Sequence, residues 1–151
     1  MNENELYSGR CACNEIRYEV SGPPAMVAYC HCDDCRKSSG SVVSVLAGFQ
    51  REGFELLKGN PAYFEATAAV NRSFCKTCGT PLFYENKNFP ENIYIHIGSF
   101  DHPEKLPPDR HSWVSERVSW HEIKDDLKKF DQLSNAGLPG NTPPYDQSSG
   151  C

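Results

Sequence analysis

The sequence of 151 residues lacks several features that define other classes of protein. Its start, MNENELYSGRC, has no basic segment followed by an apolar one, so we expect no signal peptide. No apolar run approaches the roughly 18 residues of a membrane-spanning helix. Basic residues are the minority, with 15 Lys and Arg against 20 Asp and Glu, which disfavours nucleic acid or an anionic membrane as partner. We therefore expect a cytoplasmic protein whose cysteines stay reduced.

Helical periodicity is also scarce, and short strand-like segments fill most of the chain. The segment EIRYEV (15–20) alternates apolar with charged residues, which is the period of a half-buried strand. Further segments of this kind follow at the spacing of an all-β domain: MVAYC (26–30), VVSVLAGF (42–49), AYFEAT (62–67), VNRSFC (70–75), PLFYEN (81–86) and NIYIHIGSF (92–100).

Only two segments indicate helix. DDCRKSSG (33–40) could form one or two turns, and EIKDDLKKFDQL (122–133) has Ile123, Leu127 and Phe130 at helical spacing. The remaining stretch, 134–151, is rich in Ser, Gly, Pro and Asn, and its composition predicts a disordered tail. The sequence therefore predicts one mainly β domain over residues 1–133.

Cysteine is the residue type that carries the chemistry. The chain has eight cysteines, of which Cys151 lies in the predicted tail. The other seven fall into a pair, a triplet and a second pair: Cys11 and Cys13; Cys30, Cys32 and Cys35; Cys75 and Cys78. Two pairs supply the four ligands of a closed structural zinc site, and a triplet supplies the three ligands of a catalytic zinc with an open position. The count predicts two zinc ions per chain with different roles.

The spacing within the cysteine groups also predicts their local backbone. In a flat strand, the side chains of a Cys-x-Cys pair would stand roughly 6.6 Å apart. Ligands about 2.3 Å from a tetrahedral zinc lie only ~3.8 Å from one another. We therefore expect both the Cys11–Cys13 pair and the Cys30–Cys32 pair to lie on a bend.

Other interpretations of the cysteines stay open. A disulfide framework is disfavoured by the expected reducing compartment, and a redox dithiol in CDDC lacks the βαβ pattern it normally has. A histidine could complete the triplet and make every zinc structural. His31 is a poor candidate because it lies between two ligands and should point away from them. His96 fits a strand face, and His102 and His121 should be exposed; His111, near Trp113 and Trp120, is either a packed core histidine or part of a pocket.

Four motifs resemble the glutathione-dependent formaldehyde-activating enzyme family, whose members have a zinc-binding β-tent fold. They are GRCACNEIRYEV (9–20), YCHCDDCRKSSG (29–40), RSFCKTCGTPLFY (72–84) and IGSFDHPEKLPPDRHSWVSERVSW (97–120). The resemblance covers about residues 9–121 and includes seven cysteines in matching order and spacing. It departs from the family at Asn14, where glycine is usual; asparagine tolerates a left-handed turn.

The resemblance implies small curved antiparallel sheets around two zinc ions. It implies a structural zinc on the two outer pairs, Cys11, Cys13, Cys75 and Cys78, and a catalytic zinc on the triplet. The activity it implies is that of a carbon–sulfur lyase that joins glutathione to formaldehyde and gives S-hydroxymethylglutathione.

The charge of such a site predicts its cationic neighbours. Three thiolates on Zn²⁺ leave one net negative charge, and a bound glutathione thiolate with its carboxylates adds more. We expect Arg36 and Lys37, which directly follow Cys35, to offset this charge and bind the thiol; Arg10 and Arg72 flank the outer pairs. Two alternatives stay open: a non-catalytic zinc module that binds another protein, and a zinc-stabilised reductase, for which only Cys151 would remain as a reactive cysteine.

Overall fold

The structure, a computed structural model, describes residues 5–132, so the predicted tail at 134–151 lies outside it. One α-helix occurs within these residues, α1 (Asp33–Ser39), in the segment predicted as a short helix. Eleven strands surround it: β1 (Leu6–Arg10), β2 (Arg17–Ser21), β3 (Met26–Cys30), β4 (Ser44–Gln50), β5 (Phe54–Lys58), β6 (Ala62–Glu65), β7 (Val70–Phe74), β8 (Pro81–Asn86), β9 (Asn92–His96), β10 (Arg110–Ser112) and β11 (Lys128–Lys129). Short 3₁₀ turns cover Arg51–Gly53, Ile97–Ser99, Pro103–Lys105 and Val114–Glu116. The prediction of a mainly β fold with little helix is confirmed.

The strands form two sheets of unequal size. The smaller sheet has the order β1-β2-β5, and the larger has the order β11-β10-β3-β4-β9-β8-β7-β6. Most neighbours are antiparallel, as expected, but β10 runs parallel to both β3 and β11. The larger sheet therefore brings residues 110–112 beside Met26–Cys30, directly before the cysteine triplet.

The helix predicted at 122–133 is wrong for the residues that the structure describes. Residues 122–132 contain only the two-residue strand β11. Their backbone bonds to the chain around β10: the N–H of Phe130 donates to the His111 carbonyl, and the Phe130 carbonyl accepts from Val114. Tertiary hydrogen bonds thus override a weak helical periodicity. No helix within residues 5–132 is long and apolar enough to cross a membrane.

Two buried clusters form the core. The first packs aromatic rings between the sheets, including Tyr7, Tyr18, Phe49, Phe83 and Phe100. Inside it, the Tyr18 hydroxyl lies 2.7 Å from the Ser99 hydroxyl oxygen, so a buried phenol has a hydrogen-bond partner. The second cluster surrounds the cysteine triplet and includes Met26, Leu46, Tyr84 and Tyr94. The triplet is therefore set in apolar surroundings.

Gly9 shows how tightly the first cluster is packed. A Cβ at Gly9 would lie 2.2 Å from the Tyr18 ring and 2.6 Å from the Ser99 carbonyl oxygen, and one of these contacts is with backbone. We expect Gly9→Ala to lower the free energy of unfolding by about 3 kcal/mol, at the upper end of overpacking effects. Urea unfolding would measure it. Gly98→Ala is the matched control, since nothing lies within 4 Å of that Cβ position; equal stability of the two variants would contradict the packing described.

Candidate metal and thiol site

The two outer cysteine pairs come together at the junction of the two sheets. Cys11 and Cys13 follow β1, and Cys75 and Cys78 follow β7, so each sheet contributes one pair. The Sγ atoms of Cys11 and Cys13 are 3.5 Å apart, and those of Cys13 and Cys75 are 3.7 Å apart. All four sulfurs lie within 4.8 Å of one another. These distances fit four thiolates around a tetrahedral zinc, where sulfurs are ~3.8 Å apart.

Local backbone turns bring these pairs together. Asn14 has φ 63°, so it adopts the left-handed conformation expected of it, and Gly79 has φ 76° directly after Cys78. The Gly79 N–H donates to the Cys75 carbonyl, which closes the turn between the two cysteines. Hydrogen bonds from the Thr80 hydroxyl, followed by backbone donors, lower the pKa of Cys78 to about 5, which favours the thiolate that a metal requires.

The triplet lies at the junction of β3 and α1, and all three of its cysteines are buried. Cys30 ends β3, Cys32 caps the N-terminus of α1, and Cys35 lies within the helix. The Cys32 sulfur accepts a hydrogen bond from the Cys35 N–H at 3.2 Å. The bend predicted between Cys30 and Cys32 is thus the passage from strand to helix. The three sulfurs lie within 4.8 Å of one another, and no His, Asp, Glu or further Cys within residues 5–132 joins them.

Arg72 is the cation that lies against the triplet. It is only 7% exposed, and its two terminal nitrogens lie 3.8 and 3.7 Å from the Cys35 sulfur. Its guanidinium also lies 5.0 Å from the centre of the Tyr84 ring and donates to the Ser38 hydroxyl. The pKa of Cys35 falls to about 7 because it shares a hydrogen bond with Cys30 and because Arg72 is near, against a desolvation that raises it.

Sequence reasoning noted Arg72 only as a residue near a cysteine pair. The sequence pattern that indicated a buried Arg72 was its place in strand β7, where Val70 and Arg72 share the inward face. A charged side chain at an inward strand position is rarely buried without a partner. The partner, Cys35, could not be found from the strand alone.

Arg36 and Lys37 have other partners in the structure. Both pair with Asp33, with nitrogen–oxygen distances of 3.1 and 2.5 Å. Arg36 also donates to the backbone carbonyls of His31 and Glu116, which ties α1 to the chain after β10. Lys37 is 75% exposed at the side chain.

A chain of hydrogen bonds runs away from the triplet through two histidines. His31 Nε2 lies 2.9 Å from His111 Nδ1, and His111 Nε2 lies 3.0 Å from an Asp125 carboxylate oxygen. His111 is buried and stacks between the rings of Tyr29 and His31. Of the two interpretations of His111, the structure therefore supports a packed histidine. If Asp125 accepts from His111 Nε2, the neutral His111 accepts at Nδ1 and His31 donates from Nε2.

The remaining histidines lie elsewhere. His96 is buried on β9, where its Nδ1 lies 3.3 Å from the Ser44 hydroxyl, and burial, with Arg72 nearby, lowers its pKa to about 4. His102 is exposed as predicted, whereas His121 is half-buried. Asp125 was missed, because the segment around it was interpreted as helix.

Comparison with known proteins agrees with this architecture. Residues 6–116 match the family model described as glutathione-dependent formaldehyde-activating enzyme. The chain is 22% identical to an uncharacterised lyase of Schizosaccharomyces pombe, over 82% of this chain and 90% of that protein. It is 27% identical to a Halomonas elongata protein provisionally named as a glutathione-dependent formaldehyde-activating enzyme, over 79% and 82% of the two chains.

A crystal structure of a Rhodobacter sphaeroides protein has a similar fold, with a TM-score of 0.53 and 20% identity, over 62% of this chain and 87% of that one. This likeness concerns the fold alone. The family model, in contrast, spans most of the chain, from β1 to the turn after Trp113. The chain therefore belongs to the glutathione-dependent formaldehyde-activating enzyme family.

Proposed function

We propose that this protein is a zinc-dependent carbon–sulfur lyase that acts on a glutathione–aldehyde adduct, with S-hydroxymethylglutathione as the adduct and formaldehyde as the aldehyde. The observation that carries the proposal is the buried triplet of Cys30, Cys32 and Cys35, which has no fourth ligand within residues 5–132. Cys32 is disulfide-bonded in the structure, so the proposal concerns the reduced protein, in which all three sulfurs can act as thiolates. A purely structural zinc takes four protein ligands, whereas a catalytic zinc takes three and leaves a position for a substrate. Membership of the family supports glutathione as that substrate.

In this proposal the chain holds two zinc ions in the cytoplasm, and residues 1–133 form the functional domain. Cys11, Cys13, Cys75 and Cys78 hold the structural ion, and the triplet holds the catalytic one. With a zinc ion bound, the triplet would acidify an incoming thiol and so favour its nucleophilic thiolate form at neutral pH.

The chain's own residues set the charge around the incoming thiol. Arg72 touches Cys35 and is held in place by Tyr84 and Ser38, so its positive charge is preorganised beside the sulfurs. Lys37 forms an ion pair with the half-exposed Asp33. A solvent-exposed ion pair of this kind contributes little, so a glutathione carboxylate can compete for Lys37. Arg36 is proposed to act with Lys37, although its bonds to two backbone carbonyls also fix the position of α1.

The apolar residues around the triplet keep water from competing with the thiol. In the forward direction the thiol sulfur forms a bond to the aldehyde carbon, and the π electrons of the carbonyl move to its oxygen. The proton lost from the thiol ends on that oxygen, so the adduct forms with no oxidant or reductant. The reverse reaction breaks the same carbon–sulfur bond.

Exchange spectroscopy by NMR tests this function, because the adduct also forms without a catalyst. In reduced, zinc-loaded protein with glutathione and formaldehyde, we expect exchange between free and adduct signals to exceed the spontaneous rate. The Cys32→Ser variant should bring it back to that rate. Exchange at the spontaneous rate in the wild type would reject this activity and favour a non-catalytic zinc module that binds another protein.

A further inference from the structure

The backbone of Trp113 has an unusual conformation next to the triplet. Trp113 follows β10 with φ 58° and ψ 41°, and among residues 5–132 only Asn14 shares a positive φ without being glycine. A bulky residue in the left-handed region is an outlier that persists only where its surroundings enforce it. Here the N–H of Trp113 donates to the Gln132 carbonyl at 2.9 Å, and that of Val114 donates to the Phe130 carbonyl at 3.1 Å. These hydrogen bonds thus hold the backbone of Trp113 in the left-handed conformation at a cost in free energy.

The indole of Trp113 lies against the second buried cluster, which contains Cys30, Cys32 and Cys35. Its Nε1 is buried, yet it has no hydrogen-bond partner within the part of the chain that the structure describes. A buried indole N–H is normally paired, because leaving it without an acceptor costs the hydrogen bonds it had with water. Beside a candidate thiol site, such a donor indicates an acceptor that arrives with the ligand.

We propose that Trp113 is a specificity-determining residue whose indole N–H donates a hydrogen bond to an oxygen of the thiol ligand. The acceptor class is a peptide carbonyl or carboxylate oxygen, which glutathione has and a simple alkyl thiol lacks. This inference rests on the proposed function, since it requires that a thiol binds at the triplet. It adds a means by which the site distinguishes a peptide thiol from other thiols of the cell.

Competition between two thiols tests the proposal in reduced, cobalt-loaded protein. Glutathione carries acceptor oxygens, and ethanethiol carries none; each should intensify the sulfur-to-cobalt charge-transfer band of the wild type. Trp113→Phe should weaken glutathione binding about tenfold and ethanethiol binding less than twofold, because only glutathione loses a hydrogen bond. Equal weakening of both thiols would show that Trp113 only packs the site, and unchanged glutathione affinity would also overturn the proposal.

A second variant keeps the test decisive if the Phe substitution disturbs folding. Benzothienylalanine at position 113 keeps the ring shape and replaces only the N–H, and it should reproduce the tenfold loss for glutathione. A Trp120→Phe variant removes the other tryptophan, which is 74% exposed. Tryptophan fluorescence of that variant then comes from Trp113 alone. If neither thiol alters the wild-type cobalt spectrum, thiol binding at the triplet is rejected, and this inference is rejected with it. That outcome differs from one in which both thiols bind but Trp113→Phe weakens them equally, which rejects only the role of Trp113.

Discussion

Cys75→Ser is expected to abolish folding, whereas Cys32→Ser is expected to leave a folded protein with one zinc fewer. Cys75 is 1% exposed and belongs to the four-cysteine cluster that joins β1 to the turn after β7. Metal binding at a closed site of this kind contributes about 10–16 kcal/mol to folding. A domain with a net stability of roughly 5–15 kcal/mol cannot lose most of that contribution and stay folded.

The fold should tolerate Cys32→Ser because of the place of Cys32 in the chain. Its sulfur caps α1 by accepting from the Cys35 N–H, and a serine hydroxyl is among the best groups for that position. The change removes a metal ligand and keeps the cap. Circular dichroism and metal analysis would follow both variants, prepared with reductant and without chelator.

Cys151→Ser is the control for this comparison. It should retain two zinc ions if the triplet binds its metal without the cysteine of the C-terminal tail. Equal collapse of Cys75→Ser and Cys32→Ser would mean that the triplet is also structural, and would remove the main support for a lyase.

The second large effect is expected at Arg72. Its guanidinium touches Cys35 with two nitrogens in a buried setting, where a hydrogen bond to a charged group contributes about 1.5–3 kcal/mol. Arg72→Met should therefore weaken zinc retention at the triplet and glutathione binding by roughly 10- to 100-fold. Chelator competition would measure the first, and the cobalt charge-transfer band the second.

Arg51→Met is the control, because it removes the same charge from beside an aromatic ring but away from the sulfurs. Arg51 also lies 5.0 Å from an aromatic ring, that of Phe54, but its ion pair is with Glu85 and it is 44% exposed at the side chain. We expect no change in zinc retention or thiol binding for this variant. Equal effects of the two substitutions would show that overall charge, and not contact with Cys35, governs the site.

The spacing of the cysteines was sufficient to predict their grouping, because tetrahedral geometry restricts which thiols can share an ion. The pairs at 11–13 and 75–78 and the triplet at 30–35 are the groups found in the structure. The strands 26–30 and 81–86 and the helix after Cys32 were also predicted, since alternating apolar residues, turn residues and an N-cap act over a few neighbours. Asn14 was correctly expected to adopt a left-handed turn for the same local reason.

The surroundings of the cysteine triplet were decided by contacts between residues far apart in sequence. The pairing of β10 with β3 brings residues 110–113 to the triplet, and its pairing with β11 draws residues 122–132 out of a helix. Both pairings are parallel and join residues well beyond the reach of a local sequence pattern: Arg110 pairs with Ala28 and with Lys128. The same pairings join His31, His111 and Asp125 and set Trp113 against the buried cluster that contains the triplet. The contact of Arg72 with Cys35 likewise depends on the tertiary fold, which brings the Arg72 side chain of β7 to Cys35 and Ser38 of α1. Sequence spacing thus identified the cysteine groups that could hold a metal, while only the folded sheet showed which cation and which ring lie beside the triplet.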